Sequence, residues 1–456
     1  MKRIALISMS LVLAACAPFA MQPDLPALTR PSLPDLPPAW QVAQEAVGDV
    51  TVGWIGAFND PALTALVVEA QANNRNLQAA LAGLEQSQAI ARQARAALFP
   101  ALNYSAAAAE SGRVAGSSDD SYTTGLSLGW ELDVWGRVRA SRNAAAYAAA
   151  SAEADYVFSQ YSLAAAVAQT YFLVIESDLQ EAVAQKSLDA LTQTVRIVAA
   201  QRELGAADAY DEALARANLA TARATLAQAA GGKRLARRAL EVLVGRYPAD
   251  ALEARRDLPA VPLLPGAGVP STLLERRPDL IAAELSVGAA FSDVGATKAT
   301  RLPTFSLSGA LDIAGLDFAD ALDPDNGTWS LATSLLGPLF DAGLRRAQID
   351  AASAVQRQAI AGYAQTVLNA LQEVENSLDQ NRVVAERVKA LQEAAVAQNR
   401  AFDLVQLRYE EGETNLLDVL VVQANTLSAD SAVVTARREQ LDEWINLNLA
   451  LGGSWQ

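Results

Sequence analysis

The pattern of apolar and polar positions along this chain occurs twice. In residues 102–106 and 122–132 the large apolar side chains fall on even positions, with small polar residues between them. Residues 305–311 and 329–335 repeat the alternation on odd positions. A period of two predicts four β-strands, each with one apolar face and one face rich in Ser, Thr and Gly.

Long alanine-rich stretches without proline follow each pair of predicted strands. They predict helices over 137–204 and 345–411, each about 100 Å long at about 1.5 Å per residue. A glycine ends each of these helices, and returning helices are predicted over 208–244 and 415–451. Each strand pair therefore leads into a long antiparallel helix pair.

Helices are also predicted ahead of the strands. Asp60-Pro61 begins one that runs to about Leu98, and a second covers 272–300 with an interruption at Gly295. The segment 111–121 is rich in Gly, Ser and Asp, and it predicts a loop between the first two strands.

Equivalent residues recur at a nearly constant offset, which indicates two copies of one unit. Pro100 and Pro303 lie 203 positions apart, and three further pairs lie 207 apart: Gly136 and Gly343, Gly205 and Gly412, Asp211 and Asp418. The predicted organisation is a signal peptide (1–15), a lipidated extended N-terminal segment (16–59), a first structural repeat (60–245), a linker (246–271) and a second structural repeat (272–456).

The N-terminus carries a predicted export signal. Lys2 and Arg3 precede an apolar run over 4–13, and the run ends in Leu13-Ala14-Ala15-Cys16. This ending resembles a bacterial lipobox, in which the signal is cut before the cysteine and the cysteine is acylated. We therefore expect lipidation of Cys16, the alternative being an ordinary signal peptide. Ala17, in place of Asp, is permissive of sorting to the outer membrane.

Composition narrows the range of functions. The net charge is −15, which disfavours nucleic acid as a partner because phosphate binding requires a basic face. The chain has no histidine and one cysteine, so histidine-based catalysis and nearly all zinc sites are excluded. The sequence predicts no enzyme, no cofactor and no metal site.

Membrane insertion, if it occurs, is predicted to use the strands, because no stretch of about 18 uncharged apolar residues follows the signal. Four strands cannot close a membrane barrel, which needs at least about eight. Several chains must therefore share one barrel, and three would give twelve strands with room for a lumen. The alternatives are the edge of a soluble β-sandwich for the strands and a homomeric coiled coil for the helices.

The repeated halves and several motifs resemble the TolC/OprM family, and more closely its NodT-type efflux outer-membrane lipoproteins. The motifs are Phe58-Asn59-Asp60-Pro61, Leu98-Phe99-Pro100, the run from Trp130 to Arg137, the run from Leu273 to Leu280, and Gly337-Pro338-Leu339-Phe340-Asp341.

The resemblance implies a mainly α fold with a small transmembrane β part. In a homotrimer, a twelve-stranded outer-membrane barrel with four strands per chain would continue into a periplasmic α-helical barrel. It also implies an exit channel that passively conducts drugs or other small molecules, docked to a periplasmic adaptor and an inner-membrane pump of the RND type. A type I protein-secretion duct and a non-conducting lipoprotein scaffold are the alternatives.

The resemblance further implies a gate at the periplasmic entrance. Gly205 and Gly412 would form the tip turns, and Asp418 matches an acid that lines the closed entrance in the family. Three copies of Asp418 would form a carboxylate ring that attracts cations. Where the family member TolC has a second acid, this chain has Val421, so one ring or two remains open.

The other predicted site residues lie around the tip turns and at the ends of the strands. Asp211, Tyr409, Arg202 and Arg408 complete the predicted gate, with the two arginines expected to pair with the acids across the hairpins. The alternative is that these charges are helix caps or solvated helix-face residues. Junctions between strands and helices are predicted at Pro100, Gly136, Pro303 and Gly343.

Overall fold

The computed structural model describes residues 18–42 and 53–454. In chain order the helices are α1 (Leu25–Thr29), α2 (Pro61–Asn73), α3 (Arg75–Ala96), α4 (Arg137–Glu203), α5 (Ala209–Leu243), α6 (Leu273–Arg276), α7 (Pro278–Ala299), α8 (Leu344–Glu410) and α9 (Leu416–Ala450). The strands are β1 (Ala101–Gly112), β2 (Ser118–Leu132), β3 (Thr304–Gly315) and β4 (Gly327–Leu336). Short 3₁₀ helices cover Arg30–Ser32, Trp54–Phe58, Pro270–Thr272, Asp320–Leu322 and Pro324–Asn326.

The helix lengths repeat residue for residue. Helices α4 and α8 both contain 67 residues, and α5 and α9 both contain 35. The four helices predicted from the alanine-rich stretches are confirmed, with ends within one residue or so of the prediction. The predicted fold class is also confirmed, since helices predominate and the strands form one small sheet.

Two predicted helices differ from the prediction in where they are interrupted. The helix over 60–98 was predicted to be continuous, and the helix over 272–300 was predicted to be interrupted at a different residue. The helix predicted over 60–98 ends at Asn73, because Asn74 adopts an extended backbone and caps α3 by accepting a hydrogen bond from the Leu77 N–H at 3.0 Å. The helix predicted over 272–300 is broken before Pro278, not at Gly295. Proline disfavours a helical conformation in the residue before it, and Arg277 is accordingly extended.

The four strands form a single antiparallel sheet in the order β1-β2-β3-β4. The loop predicted over 111–121 was too long, since β1 and β2 leave only residues 113–117 as the turn. Polar side chains misled the prediction: the ladder pairs the backbones of Glu110 with Asp120 and Ser111 with Asp119. Exposed ends of a hairpin carry polar residues readily because only the backbone is paired.

The chain forms two compact units, and each contains segments of both predicted repeats. The first, here the sheet unit, comprises the described residues up to Asp35, together with Ala82–Asp155 and Asp279–Val367. The second, the helical unit, comprises Leu36–Leu81, Tyr156–Pro278 and the chain from Leu368 onward.

An aromatic cluster lies in the core of the helical unit. Phe58 packs edge-on against Phe172 and Trp444, with ring centroids 5.0 Å apart in both cases. The predicted extended character of 16–59 is therefore wrong here, because Trp54–Phe58 is a 3₁₀ turn with buried Trp54, Ile55 and Phe58 side chains. It is also wrong at Leu25–Thr29, which is α1, and at Arg30–Ser32, which is a 3₁₀ helix. Burial of aromatic side chains of this size contributes strongly to the stability of the unit.

The linker after α5 is held by one buried carboxylate. Glu241 is 2 % exposed and accepts hydrogen bonds from the backbone N–H groups of Asp250, Ala251 and Leu252 at 2.8, 2.7 and 3.2 Å. Burial opposes ionisation of Glu241, but these hydrogen bonds outweigh it and hold its pKa below the ordinary value. The start of the linker is thus fixed against α5.

Candidate functional site

The register of the sheet gathers the large apolar side chains on one face. Directly opposed residues share a face, and one transverse row reads Tyr104, Leu126, Leu311 and Trp329 across the four strands. The even positions of β2 therefore align with the odd positions of β3, as the alternation of the sequence predicts. Leu126, Leu311 and Trp329 are all more than 40 % exposed, so this apolar face is uncovered in a single chain.

The apolar face has the height of a membrane-spanning band. From Tyr122 to Leu132 it covers ten residue steps of β2, or about 34 Å along the strand. A strand tilt of about 45° converts this length to about 25 Å, which is the usual height of the apolar band in outer-membrane barrels. Tyr122 marks one end of the band. At the other end the Trp130 indole N–H donates to the Leu98 carbonyl at 3.0 Å.

The opposite face of the sheet is polar and largely small. A transverse row across it reads Asn103, Ser127, Ala310 and Ser330. Small polar side chains of this kind are suited to lining a water-filled lumen.

Both edges of the sheet carry unpaired backbone within the described residues. Strands β1 and β4 occupy the two edges, and every residue of both strands is exposed. An exposed strand edge is a template for pairing with another strand, and it is not tolerated in lipid. The sheet is therefore incomplete as a membrane-spanning structure until its edges meet further strands.

The predicted junction residues lie where strands meet helices. Gly136 (φ 82°) and Gly343 (φ 88°) have the left-handed backbone that glycine adopts without strain, directly before α4 and α8. Pro100 and Pro303 directly precede β1 and β3. The two halves of the sheet unit are tied at this level by the Trp135 indole N–H, which donates to the Pro303 carbonyl at 2.7 Å.

The predicted tip turns are glycine turns that end the long helices. Gly205 (φ 74°) and Gly412 (φ 78°) both adopt the left-handed conformation. The N–H of the following residue returns to the helix in each turn: Ala206 donates to Gln201 O at 2.7 Å, and Glu413 donates to Arg408 O at 2.8 Å. This is the bonding of a Schellman motif, and it turns the chain sharply into the returning helix.

The two predicted gate acids occupy equivalent positions in the caps of the returning helices. Asp211 forms a capping box with Asp208, whose Oδ1 accepts the Asp211 N–H at 2.9 Å. Asp418 donates its N–H to Asn415 Oδ1 at 2.9 Å, and its own Oδ2 accepts the Thr414 hydroxyl at 2.6 Å. Asp418 is exposed, whereas Asp211 is partly buried.

The expected pairing of the arginines with these acids is not found within the described residues of one chain. Arg202 instead forms an ion pair with Glu212, and Arg408 pairs with Glu413 at 3.6 Å. The reason is proximity along the chain, because each arginine reaches an acid of its own hairpin. The sequence analysis missed Glu212, whose place next to Asp211 at the start of α5 was the available signal.

Tyr409 connects the two tip hairpins. Its hydroxyl donates to Gln201 Oε1 at 2.6 Å, which joins the end of α8 to the end of α4. Burial raises the pKa of Tyr409, and the charge of Asp211 adds to the shift. The same level of the helical unit contains a small apolar core whose members include Leu191, Val198, Leu416 and Leu420.

Three further observations bear on the predicted sites. Cys16 lies outside the described residues. Within the described residues, no group of three or more His, Cys, Asp or Glu side chains is arranged to hold a metal ion. Helices α7 and α9 are long and apolar enough to cross a membrane by length and composition, although the sequence analysis expected no such helix. Both use apolar residues in helix packing, since Leu280 of α7 and Trp444 of α9 are buried.

A comparison with protein families matches this chain to the model described as outer membrane efflux protein, over residues 66–246 and 269–453. The pyoverdine export outer membrane protein OpmQ of Pseudomonas aeruginosa is 32 % identical over 474 residues, covering 100 % of this chain and 98 % of OpmQ. The antibiotic efflux pump outer membrane protein ArpC of Pseudomonas putida is 30 % identical over 464 residues, covering 97 % of this chain and 94 % of ArpC.

A comparison with solved structures gives the same assignment. The outer-membrane channel OprN is 29 % identical and superposes with a TM-score of 0.85, covering 96 % of this chain and 99 % of OprN. The match extends over both units and both halves of the sequence.

Proposed function

The chain belongs to the outer membrane efflux protein family, and we propose that it works as a homotrimer forming the exit duct of a tripartite pump. As an outer-membrane component of an efflux system, it acts together with an adaptor and an inner-membrane pump. The inner-membrane partner we propose is of the RND type. The duct conducts its cargo passively, and the pump supplies the energy.

The main support for a trimer is the sheet with its two unpaired edges. The described part of one chain offers four strands, with β1 unpaired at one edge of the sheet and β4 unpaired at the other. Pairing β4 of one chain with β1 of the next removes both edges when the ring closes. Two chains would give eight strands and an interior filled by side chains, whereas three give twelve and an open lumen.

Small molecules are the proposed cargo, and selection among them is assigned to the pump. OpmQ is described by pyoverdine export and ArpC by antibiotic efflux, yet the two are nearly equally similar to this chain. Similar ducts are thus found with chemically different cargoes. The polar face of the sheet, with Ser, Thr, Gly and Ala in its rows, suits a water-filled passage of low selectivity.

We further propose the gate, the anchor and the division into domains. Asp418, exposed beside the Gly412 turn, supplies the acidic ring of the entrance, and Asp211 lies in an outer layer of it. Cys16 is the lipid anchor, and 60–245 and 272–456 are the structural repeats, to which the two family matches closely correspond. The absence of histidine from the sequence supports a protein with no catalytic role.

Mass measurement and bilayer recording test the proposed function together. The purified full chain in detergent is expected to have the mass of three chains, less residues 1–15 and plus acyl groups on each. The same preparation is expected to conduct ions in planar bilayers. A stable monomer, or a trimer without conductance, would contradict the exit duct. A mature chain cut elsewhere would remove the anchor while leaving the duct intact.

A further inference from the structure

The connection between β3 and β4 folds back onto the sheet. We call residues 316–326 the rim loop. Within it the 3₁₀ turn Asp320–Leu322 packs on β2 and β3, and the Thr124 hydroxyl donates to the Ala321 carbonyl at 2.7 Å. Ala321 is 1 % exposed. The rim loop is thus docked on the two central strands.

The face on which it docks is the apolar one. Thr124 is paired with Ile313, and both lie in register with the rows that carry Leu126 and Leu311. Gly315, paired with Tyr122, belongs to the same face. A Cβ at Gly315 would lie 2.2 Å from the Asp320 Cβ and 2.9 Å from the Ala321 N, so the missing side chain makes the room that the turn occupies.

An aromatic pair fixes the level of the rim loop along the strands. The Phe318 and Tyr122 rings meet edge to face with centroids 6.4 Å apart. Tyr122 ends the apolar band, where membrane barrels carry their aromatic girdle at the boundary between lipid and water. The rim loop therefore lies at the outer end of this band.

The outer side of the rim loop is apolar and uncovered. Leu316, Phe318 and Leu322 are 77, 65 and 56 % exposed, and acidic residues alternate with them at Asp317, Asp320 and Asp323. Neighbouring apolar side chains that are exposed in this way mark a contact surface for protein or membrane. We propose that the rim loop is a lipid-contact collar, in which Leu316, Phe318 and Leu322 insert into the outer-leaflet boundary.

The position of the collar selects lipid over the other possible occupants. A neighbouring chain would meet the free edges at β1 and β4, but the collar rests on β2 and β3. The lumen is on the polar face, opposite Tyr122, Thr124 and Gly315. The collar rests on the proposed duct in one respect, because it requires the apolar face of the sheet to contact lipid.

The experiment uses nitroxide labels on the full chain reconstituted in lipid vesicles. Phe318→Cys reports the collar, Leu331→Cys reports the apolar face of β4, and Val114→Cys reports the turn of the first hairpin. Each variant is measured for collision with dissolved oxygen, which concentrates in lipid, and with a water-soluble nickel chelate. Labelled wild-type protein provides the blank for Cys16.

The collar predicts that the label at 318 resembles the label at 331, with an oxygen-to-nickel ratio severalfold above that at 114. A water-like ratio at 318, or low accessibility to both reagents because protein covers it, would overturn the collar. A label at 331 that is not in lipid would instead overturn the lipid-facing sheet on which the duct depends. The two failures are therefore distinguishable.

A second pair of variants tests how the collar is seated. Gly315→Val in the Phe318→Cys background should lower the oxygen-to-nickel ratio at 318 severalfold, because the added side chain displaces the turn. Gly309→Val is the matched control, since it lies on the same face and its Cβ would meet neighbours only at ordinary contact distances of 3.6 Å or more. Conductance of both variants checks that the trimer persists. Equal ratios in the two variants would contradict the proposed seat.

Discussion

The two tip hairpins have the same backbone conformation, but their charged side chains form different ion pairs. Each has a left-handed glycine, a Schellman-type bond and a polar cap, with Asp208 in one and Asn415 in the other. In the first hairpin a buried carboxylate, Glu212, is held by Arg202 and Arg216. In the second the acids are exposed. The two hairpins thus keep the same turn, but the first contains a paired charge cluster and the second contains exposed acids.

This difference assigns the hairpins different tasks. The Arg202, Glu212 and Arg216 cluster joins the end of α4 to the start of α5, which stiffens the first hairpin. In the second hairpin the Asp418 carboxylate accepts a hydrogen bond from the neighbouring Thr414 hydroxyl through Oδ2. We therefore expect the first hairpin to carry stability and the second to carry the interaction with permeating ions.

The largest effect should follow from Glu212→Gln, which removes the charge that both arginines face. Amide hydrogen exchange over 202–216 is expected to lose severalfold in protection factor, while 408–420 changes little. Glu203→Gln, an exposed neighbour, is the control. Equal loss in both hairpins would show that they act as one unit and break the comparison.

The same carboxylate gives the first hairpin a pH dependence. The hydrogen bond from Arg202 lowers the pKa of Glu212, with the charges of both arginines adding to it. The stabilisation is therefore complete above the ordinary glutamate pKa of about 4.3 and is lost as pH falls through the lower, folded-state pKa. Protection factors of wild type and Glu212→Gln should converge at the acidic end of a pH series.

Asp418→Ala should change conduction without a large change in stability. Loss of three carboxylates from one constriction is expected to weaken cation selectivity and block by trivalent cations severalfold. Asp211→Ala should have a smaller effect on block, because Asp211 is partly buried and committed to the capping box. Bilayer recordings compare the two variants. If block by trivalent cations were unchanged in Asp418→Ala, Asp418 would act only in the cap of its helix.

Tyr409→Phe tests the connection between the hairpins. Removing the hydroxyl deletes the hydrogen bond to Gln201, and a loss of about 1 kcal/mol in local stability is expected. Hydrogen exchange at the ends of α4 and α8 together measures it. Tyr210→Phe is the control because that side chain is 66 % exposed. A response confined to α8 would argue against coupling through this bond.

Arg408→Ala should have the smallest effect. Its pair with Glu413 is more than half exposed on both sides, and exposed pairs contribute roughly 0–1 kcal/mol. Thermal unfolding and conductance are expected to match wild type within a few tenths of a kcal/mol. A large change would show that Arg408 has a partner in the assembled trimer.

The sequence predicted what periodicity determines. Alternation located the four strands and their faces, and the proline-free alanine stretches located the long helices almost to the residue. The sequence analysis failed where a single contact between distant residues determines the end of a helix. Asn74 breaks a helix because its side chain also donates to the Leu243 carbonyl, 169 positions away, and no local pattern records that.

The position of the candidate gate could be predicted from the sequence, but the partners of its charged side chains could not. The glycine turns and the acids beside them follow from the repeat, because both copies keep the same spacing. The partners of Arg202 and Arg408 depend on rotamers and on the packing of adjacent helices, which one sequence does not specify. The docking of the rim loop was not predicted for a related reason: it depends on Gly315, whose missing side chain leaves room for the turn on the apolar face.

The equal lengths of α4 and α8 restrict how such a chain can change in evolution or by design. One inserted residue shifts the rest of a helix by about 1.5 Å and rotates it by about 100°. An insertion in α4 alone would turn Val198 out of its core and separate Gln201 from Tyr409. Insertions of about seven residues, made in both halves and in the returning helices, restore the facing residues. The reach of the duct across the periplasm is therefore adjustable only in paired steps close to whole helical turns, such as about seven or about eleven residues.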